Sequence, residues 1–292
     1  MKKAISSLFI AIAICIPSVR AKEAPFESHV DSVVSTILQN VGKLKTVNPN
    51  AIPMAFWDFD GTILKGDVSE GFSSNGEIHY KGLVEETVSA GMSPIYRGKS
   101  AYRILAKDYK RMCEIGKWLG YPFVAQIFEG TEAAAIDSLA SIKFKNVYQH
   151  WYFTASIEIL KRLEDAGIAN YIISASPEVF VRNAAETLNL PRDRFYGIRV
   201  EIRDGIMTPN LIMPIPYAEG KVAYLKQIVE SQKNGFPVAA FGNSYSTDAA
   251  FLEYIVRQEL PGGAHGYALM INGGTVPQKY ANLFHCVKQD KH

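Results

Sequence analysis

The sequence predicts an α/β fold: a doubly wound, Rossmann-like parallel sheet core with a mostly helical cap domain. Three observations predict it. Short apolar runs that read as buried strands alternate with stretches of helical spacing through the second half of the chain. Three of these runs end in polar residues: Asp58 with Asp60, Ser174, and Asn243 with Asp248. The stretch from about 72 to 150, between the first two runs, has helical spacing, many aromatic residues and no clear strand.

The 292 residues suffice for one large domain or two modest ones, and 48% hydrophobic residues without a low-complexity segment suit an ordinary globular core. Residues 1–21 stand apart. Lys2 and Lys3 form a basic start, residues 8–17 a short apolar core, and Val19-Arg20-Ala21 a small-residue cleavage site. This pattern predicts a secretory signal peptide cut after Ala21, hence a periplasmic or secreted protein with no membrane attachment after cleavage. An uncleaved anchor is the alternative, although the apolar stretch is short for a span. Cleavage removes three basic residues and no acid, leaving 28 basic against 29 acidic side chains, a net charge of −1. No clustering of Lys and Arg marks a nucleic-acid surface. The remaining cysteines, Cys113 and Cys286, are candidates for a disulfide in an oxidising compartment or for free thiols.

The elements follow in order. Residues 27–45 place Val30, Val33, Val34, Ile37, Leu38, Val41 and Leu44 at helical spacing, which predicts an amphipathic packing helix. A Pro/Asn linker, 46–53, leads into a strand over 52–57 that ends in Asp58-Phe59-Asp60-Gly61-Thr62. Asp58 and Asp60 are two residues apart, so both point to one face of an extended strand. Two acids at one strand tip repel unless a cation lies between them. The carboxyl ends of parallel strands are also where α/β proteins bind ligands. The tip therefore suits a hard divalent metal and an anionic substrate; the plainer alternative is a strand end and a turn.

Gly66 and Gly71 mark a loop after the tip, and helical spacing recurs over 99–116 and 131–141. The domains expected are a core of 22–66 and 153–292 and a helical cap of 67–152, whose rings are expected chiefly in packing. A helix over 155–166, ended by Gly167, precedes a short strand, 171–173, that runs into Ser174-Ala175-Ser176-Pro177. Pro177 suits the first turn of a helix over 178–190. Asp204-Gly205 predicts a hairpin between 195–202 and 206–208. Then come a helix over 217–232 with Lys221 near its start, a strand over 238–241, the loop from Gly242-Asn243 to Asp248, a helix from Ala249 and a strand over 267–271.

In a parallel sheet the polar tips converge on one crevice. Singly, Ser174 and Asp248 read equally well as helix caps and Lys221 as a solvated lysine. Jointly they supply a nucleophile, a hydroxyl, a cation and a metal ligand in chain order.

Asp58-x-Asp60-Gly61-Thr62, then Ile172-Ile173-Ser174, then Lys221, then Gly242-Asn243-x-x-x-x-Asp248 resemble the four motifs of the haloacid dehalogenase superfamily of hydrolases. The resemblance runs from about 52 to 272, and the insert is similar to the helical cap of the phosphoserine-phosphatase-like branch. It implies a phosphatase. Asp58 would be the nucleophile that becomes an aspartyl-phosphate, and Asp60 the acid and then base. Ser174 would bind a phosphoryl oxygen, and Lys221 would neutralise phosphate and nucleophile together. Mg2+ would be held by Asp58, the Asp60 carbonyl, Asn243 and Asp248. Gly61, Thr62 and Ala175 would line the substrate. The second acid, Asp60, favours phosphate esters over carbon–halogen bonds, because an alkoxide needs a proton. Asn243 departs from the family, which often has Asp there; Asp248 would then be the main acidic ligand of its loop.

The resemblance puts substrate choice in the cap and the loop after the first motif. Asp67 or Glu70 would meet a substrate amine, and Arg97, Arg103 or Arg111 are candidates for a substrate carboxylate. The cap's aromatic residues permit an ammonium cage. A small phosphorylated metabolite, phosphoserine- or phosphocholine-like, is the expected substrate. The alternatives are a phosphotransferase on the same site and a non-catalytic binding protein of the same fold.

Overall fold

The computed structural model describes residues 26–289; the expected signal peptide lies outside them. Helix α1 (Val30–Val47) buries Val30, Val33, Val34, Ile37, Val41 and Leu44, the stripe that its spacing predicts. Strand β1 (Ile52–Trp57) follows and is buried along all but its first residue. The cap comprises β2 (Gly71–Ser74), β3 (Glu77–Lys81), α2 (Leu83–Ser89), α3 (Ala101–Ile115), α4 (Lys117–Gln126) and α5 (Ala133–Asn146). The chain returns to the core through α6 (Thr154–Asp165), β4 (Ala169–Pro177), α7 (Glu178–Val181), α8 (Ala184–Leu188), β5 (Phe195–Arg203) and β6 (Ile206–Ile212). It closes with α9 (Glu219–Ser231), β7 (Gly235–Gly242), α10 (Ala249–Val256), the two-residue β8 (Glu259–Leu260) and β9 (Ala264–His265), β10 (Tyr267–Ile271) and β11 (His285–Val287).

Seven strands form the main sheet in the order β11-β10-β7-β1-β4-β5-β6. All neighbouring pairs are parallel except β5–β6, the antiparallel hairpin at one edge. Its turn residues, Asp204 (φ 51°) and Gly205 (φ 81°), both take the left-handed conformation that a two-residue hairpin turn requires. β1 lies at the centre, with β4 on one side and β7 on the other, so the strand order reverses around it. The crevice beyond its carboxyl end is the fold's natural ligand position.

Alternate residues of β1 feed two core layers. Met54 and Phe56 pack with residues of α9 and α10, whereas Ala55 and Trp57 pack in the layer holding α1, α6 and the cap. Trp57 stacks on Phe241 of β7 with ring centroids 3.7 Å apart. Its indole N–H donates to the Asn170 side-chain oxygen at 2.8 Å, and Asn170 donates to the Leu160 carbonyl at 3.1 Å and to Glu164 at 2.9 Å. This buried amide ties β1, β4 and α6 together one residue before Asp58.

Several elements differ from the sequence expectation. The stretch expected to hold no strand contains the antiparallel β2–β3 hairpin, which turns at Asn75-Gly76 with φ of 52° and 80°. Its strands are short and bury only Phe72 and Tyr80, so they lack the buried apolar run that marks a core strand. The helical pattern at 99–116 is followed by a second helix, α4, which carries Pro122 inside it. The expected helix over 178–190 divides into α7 and α8. Asn183 sits at the break and donates its side-chain amide to the Val179 carbonyl at 2.8 Å, occupying a main-chain acceptor. Cys113, in α3, and Cys286, in β11, are both free thiols, so the expected option of a disulfide between them is not realised. No helix among the described residues is long and apolar enough to cross a membrane.

Replacing Asn170 with Ala leaves the Trp57 N–H buried without its acceptor. We expect a loss of about 2–3 kcal/mol in urea unfolding; a shift below about 0.5 kcal/mol would show that the bond does little for β1.

Candidate active site

Strand register assembles the site. Trp57 lies opposite Ile172 on β4 and Phe241 on β7, and the Asp58 N–H donates to the Phe241 carbonyl at 2.8 Å. Asp58 thus leaves the sheet at the level where β4 reaches Ser174 and β7 reaches Gly242-Asn243. The chain then turns at Gly61 (φ 74°), where a Cβ would lie 1.9 Å from Asn243 Nδ2. The left-handed φ favours glycine there, and any side chain would displace the Asn243 amide.

Beneath the tip lies a fully buried lysine. Lys221 Nζ donates to Asp58 Oδ1 at 2.6 Å and to Asp248 Oδ1 at 2.7 Å, and none of its surface is exposed. Asp248 uses its other oxygen to accept the Asn243 and Ser244 N–H groups, each at 2.9 Å. Asp58 Oδ2 accepts from the Thr62 hydroxyl at 2.9 Å. Burial by itself would lower the pKa of Lys221, but the two carboxylates outweigh it and hold the ammonium above the ordinary lysine value. Burial, then the charge of Asp248, pushes Asp58 up to about 7 against the pull of Lys221. One cation serves more carboxylates than it can neutralise.

Asp60 faces the other way. Its Oδ1 accepts the Val68 N–H at 2.7 Å, and its Oδ2 accepts the hydroxyls of Ser174 (3.1 Å) and Ser176 (2.7 Å). Burial raises its pKa, while these three donors act in the opposite direction. A raised carboxyl at a cavity wall is suited to deliver a proton. Ser174 is completely buried and spends its hydroxyl on Asp60 rather than on the cavity. Ser176, two residues on and on the same strand face, lines the cavity.

The cavity above these groups has a volume of about 180 Å³. Asp58, Asp60, Ser176 and Asn243 line its core side, and Asp67, Glu70, Tyr109 and Tyr121 the side towards the cap. Asp67 Oδ1 caps its own turn, accepting the Ser69 and Glu70 N–H groups at 2.7 and 2.9 Å. Burial and the nearby Asp60 and Glu70 raise its pKa well above the usual range. Glu70 accepts the Tyr109 hydroxyl at 2.7 Å.

Among the expected site residues, Asp58, Asp60, Asp67, Glu70, Ala175 and Asn243 border this cavity, and Gly61 borders an adjoining one. Thr62, Ser174, Lys221 and Asp248 lie beneath the surface as supports. Both Asp248 oxygens accept from protein donors, as do both of Asp58, whereas Asn243 lines the cavity. Arg97, Arg103 and Arg111 are exposed, and none lines the cavity. Ser69, Ser176, Tyr109 and Tyr121 were not singled out by the sequence. The repeated Ser-x-Ser at 174–176 carried a signal for Ser176; the tyrosines are indistinguishable in sequence from packing rings.

The residues fit a hard divalent cation. Among the described residues no three Asp, Glu, His or Cys side chains converge as a closed cage. Mg2+ commonly takes only one or two carboxylates and completes its shell with water and substrate phosphate. Asp58 and Asn243, side chains that carry oxygen donors, line the cavity, and the excess negative charge there calls for a cation.

A family model for haloacid dehalogenase-like hydrolases matches residues 55–253. The chain belongs to this family. A haloacid dehalogenase-like hydrolase is an enzyme, and the four motif positions form the floor and supports of the cavity just described. A search of curated protein sequences returns no match. Solved structures share the fold at low identity. A protein of unknown function from Bordetella pertussis Tohama I superposes with a TM-score of 0.62 at 14% identity, covering 83% of this chain and 100% of its own. A functionally unknown protein from Anaerococcus prevotii DSM 20548 gives 0.61 at 14%, covering 91% and 93%. Cytosolic 5'-nucleotidase IIIB bound to cytidine gives 0.58 at 16%, covering 90% and 86%.

Removing Asp248 leaves Lys221 with Asp58 alone and takes the acceptor from two loop N–H groups. Asp248→Ala is expected to cost about 3–5 kcal/mol in denaturant unfolding, and Asp248→Asn less, because the amide keeps an acceptor for the loop. Equal, small losses for both would show that the ion pair contributes nothing.

Proposed function

We propose that the protein is a secreted or periplasmic, Mg2+-dependent phosphomonoester hydrolase. The observation that carries this reading is the pairing of two unlike carboxylates at one strand tip. Asp58 accepts from the Lys221 ammonium and the Thr62 hydroxyl, whereas Asp60 accepts only from neutral donors, the Val68 N–H and the hydroxyls of Ser174 and Ser176. This difference in partners supports Asp58 as nucleophile and Asp60 as acid. The N-terminal basic, apolar and small-residue pattern supports secretion.

Asp58, the Asp60 main-chain carbonyl and Asn243 would hold Mg2+. The bound ion would offset charge on the phosphoryl oxygens. An Asp58 carboxylate oxygen bonds to phosphorus as the phosphorus–alkoxide bond breaks, and the Asp60 proton passes to the departing oxygen. Asp60, now ionised, takes a proton from water, whose oxygen bonds to phosphorus as the Asp58–phosphorus bond breaks. Inorganic phosphate leaves and both acids return to their starting states. Lys221 keeps Asp58 aligned through both steps.

The lining also bears on the substrate. Among the described residues lining the cavity none is Lys or Arg, while Asp67, Glu70 and two tyrosine rings face its outer part. This favours an alcohol carrying an ammonium group, as in a phosphocholine-like ester, over one carrying a carboxylate, as in phosphoserine.

Three measurements check the reading. Turnover of p-nitrophenyl phosphate should cease with EDTA and return with Mg2+. Asp58→Asn should reduce it by about a thousandfold or more; unchanged turnover would show that Asp58 is not the nucleophile. Asp60→Asn should slow alkyl phosphates by about a hundredfold or more, and p-nitrophenyl phosphate much less, because p-nitrophenolate leaves without a proton. Equal losses on both esters would remove Asp60 as the acid.

A further inference from the structure

A second chamber of about 200 Å³ adjoins the catalytic cavity. The two share one wall, made by Ser69, Glu70, Tyr109 and Val124. Beyond it the chamber is lined by Val84, Tyr102, Leu105 and Ala106 from α2 and α3. Val84 and Leu105 are buried, Tyr102 is half-buried and Ala106 is exposed at the rim. None of these four carries a formal charge.

We propose that this chamber is a subsite for the leaving alcohol, which receives an alkyl or aryl arm of the substrate when the shared wall opens. The proposal rests on the phosphomonoesterase reading. Two features point to it. First, a chain of hydrogen bonds links the wall to the proton donor. Asp60, the proton donor, accepts from Ser176; Ser176 in turn accepts from Ser69 at 3.2 Å; and Ser69 is part of the wall. An alcohol protonated by Asp60 therefore extends towards Glu70 and Tyr109. Second, one side-chain hydrogen bond latches Glu70 to α3: the Tyr109 hydroxyl on Glu70, between a loop residue and a cap helix. Glu70 is exposed, so it can exchange Tyr109 for water when the rings part. An ammonium at Glu70 would place its N-alkyl groups against the chamber.

The test separates the apolar contribution from charge. Phosphate release with Mg2+ is measured for ethyl, butyl and hexyl phosphate. Each buried methylene should raise kcat/KM by up to about fourfold until the chamber is full, so hexyl phosphate should exceed ethyl phosphate by about tenfold or more. Ala106→Phe, which fills the rim from an exposed helix position, should lower that hexyl-to-ethyl ratio about fivefold or more. Tyr109→Phe, which removes the bond closing the wall, should raise it. A parent enzyme that cleaves all three esters equally, or a folded Ala106→Phe protein with the parent ratio, overturns the chamber and leaves the phosphatase reading standing. Absence of release from every ester, including p-nitrophenyl phosphate, overturns both.

Discussion

One lysine ammonium, buried without any exposed surface, is shared between two carboxylates, one after a strand and one at the start of a helix. An unpaired charge at that depth would be very costly, and so would either acid without the lysine. The three groups therefore need one another. Lys221 comes from the first turn of α9, Asp58 from the end of β1 and Asp248 from the start of α10. Their mutual satisfaction fixes where β1 ends relative to two helices on one side of the sheet. Main-chain bonds brace the same triangle: the Ala218 N–H donates to the Thr247 carbonyl at 3.1 Å, and Gly242 lets Asp248 approach closely enough that a Cβ there would lie 2.6 Å from its Cβ.

From this arrangement follows the division of labour at the cavity. Asp58 is turned towards the buried cation, whereas Asp60 is turned towards hydroxyls of β4. Neither assignment depends on the cap. The cap closes the opposite wall with acids and rings, and the hairpin β5–β6 anchors it: the Gly130 N–H donates to the Met207 carbonyl and the Ala133 N–H to the Gly205 carbonyl, each at 2.9 Å.

Most of the core was legible in the sequence because buried strands and amphipathic helices differ in period. The strand at 52–57, the stripe of the first helix and the Asp204-Gly205 turn all have strong local signals. The β2–β3 hairpin lacked the buried run, although its Asn75-Gly76 turn was written plainly. Asp58, Asp60, Ser174, Lys221 and Asn243 were legible from their places at strand ends and a helix start. What could not be read was direction. Ser174 and Ser176 both donate to Asp60, yet only Ser176 reaches the cavity, and Asp248 serves the lysine, because three-dimensional hydrogen-bond supply decides which oxygen remains available. Tyr109 and Tyr121 became cavity walls only through the packing of α3 and α4, a long-range fact without a local signature.

The central claim is that Asp58, poised by Lys221, accepts the phosphoryl group. Its most direct test is rapid acid quench during turnover of p-nitrophenyl phosphate, followed by peptide mass spectrometry. The account predicts one phosphoryl group on the peptide that contains Asp58, and none there in Asp58→Asn. A phosphoryl group on another residue would contradict it, as would steady turnover with Asp58 never modified.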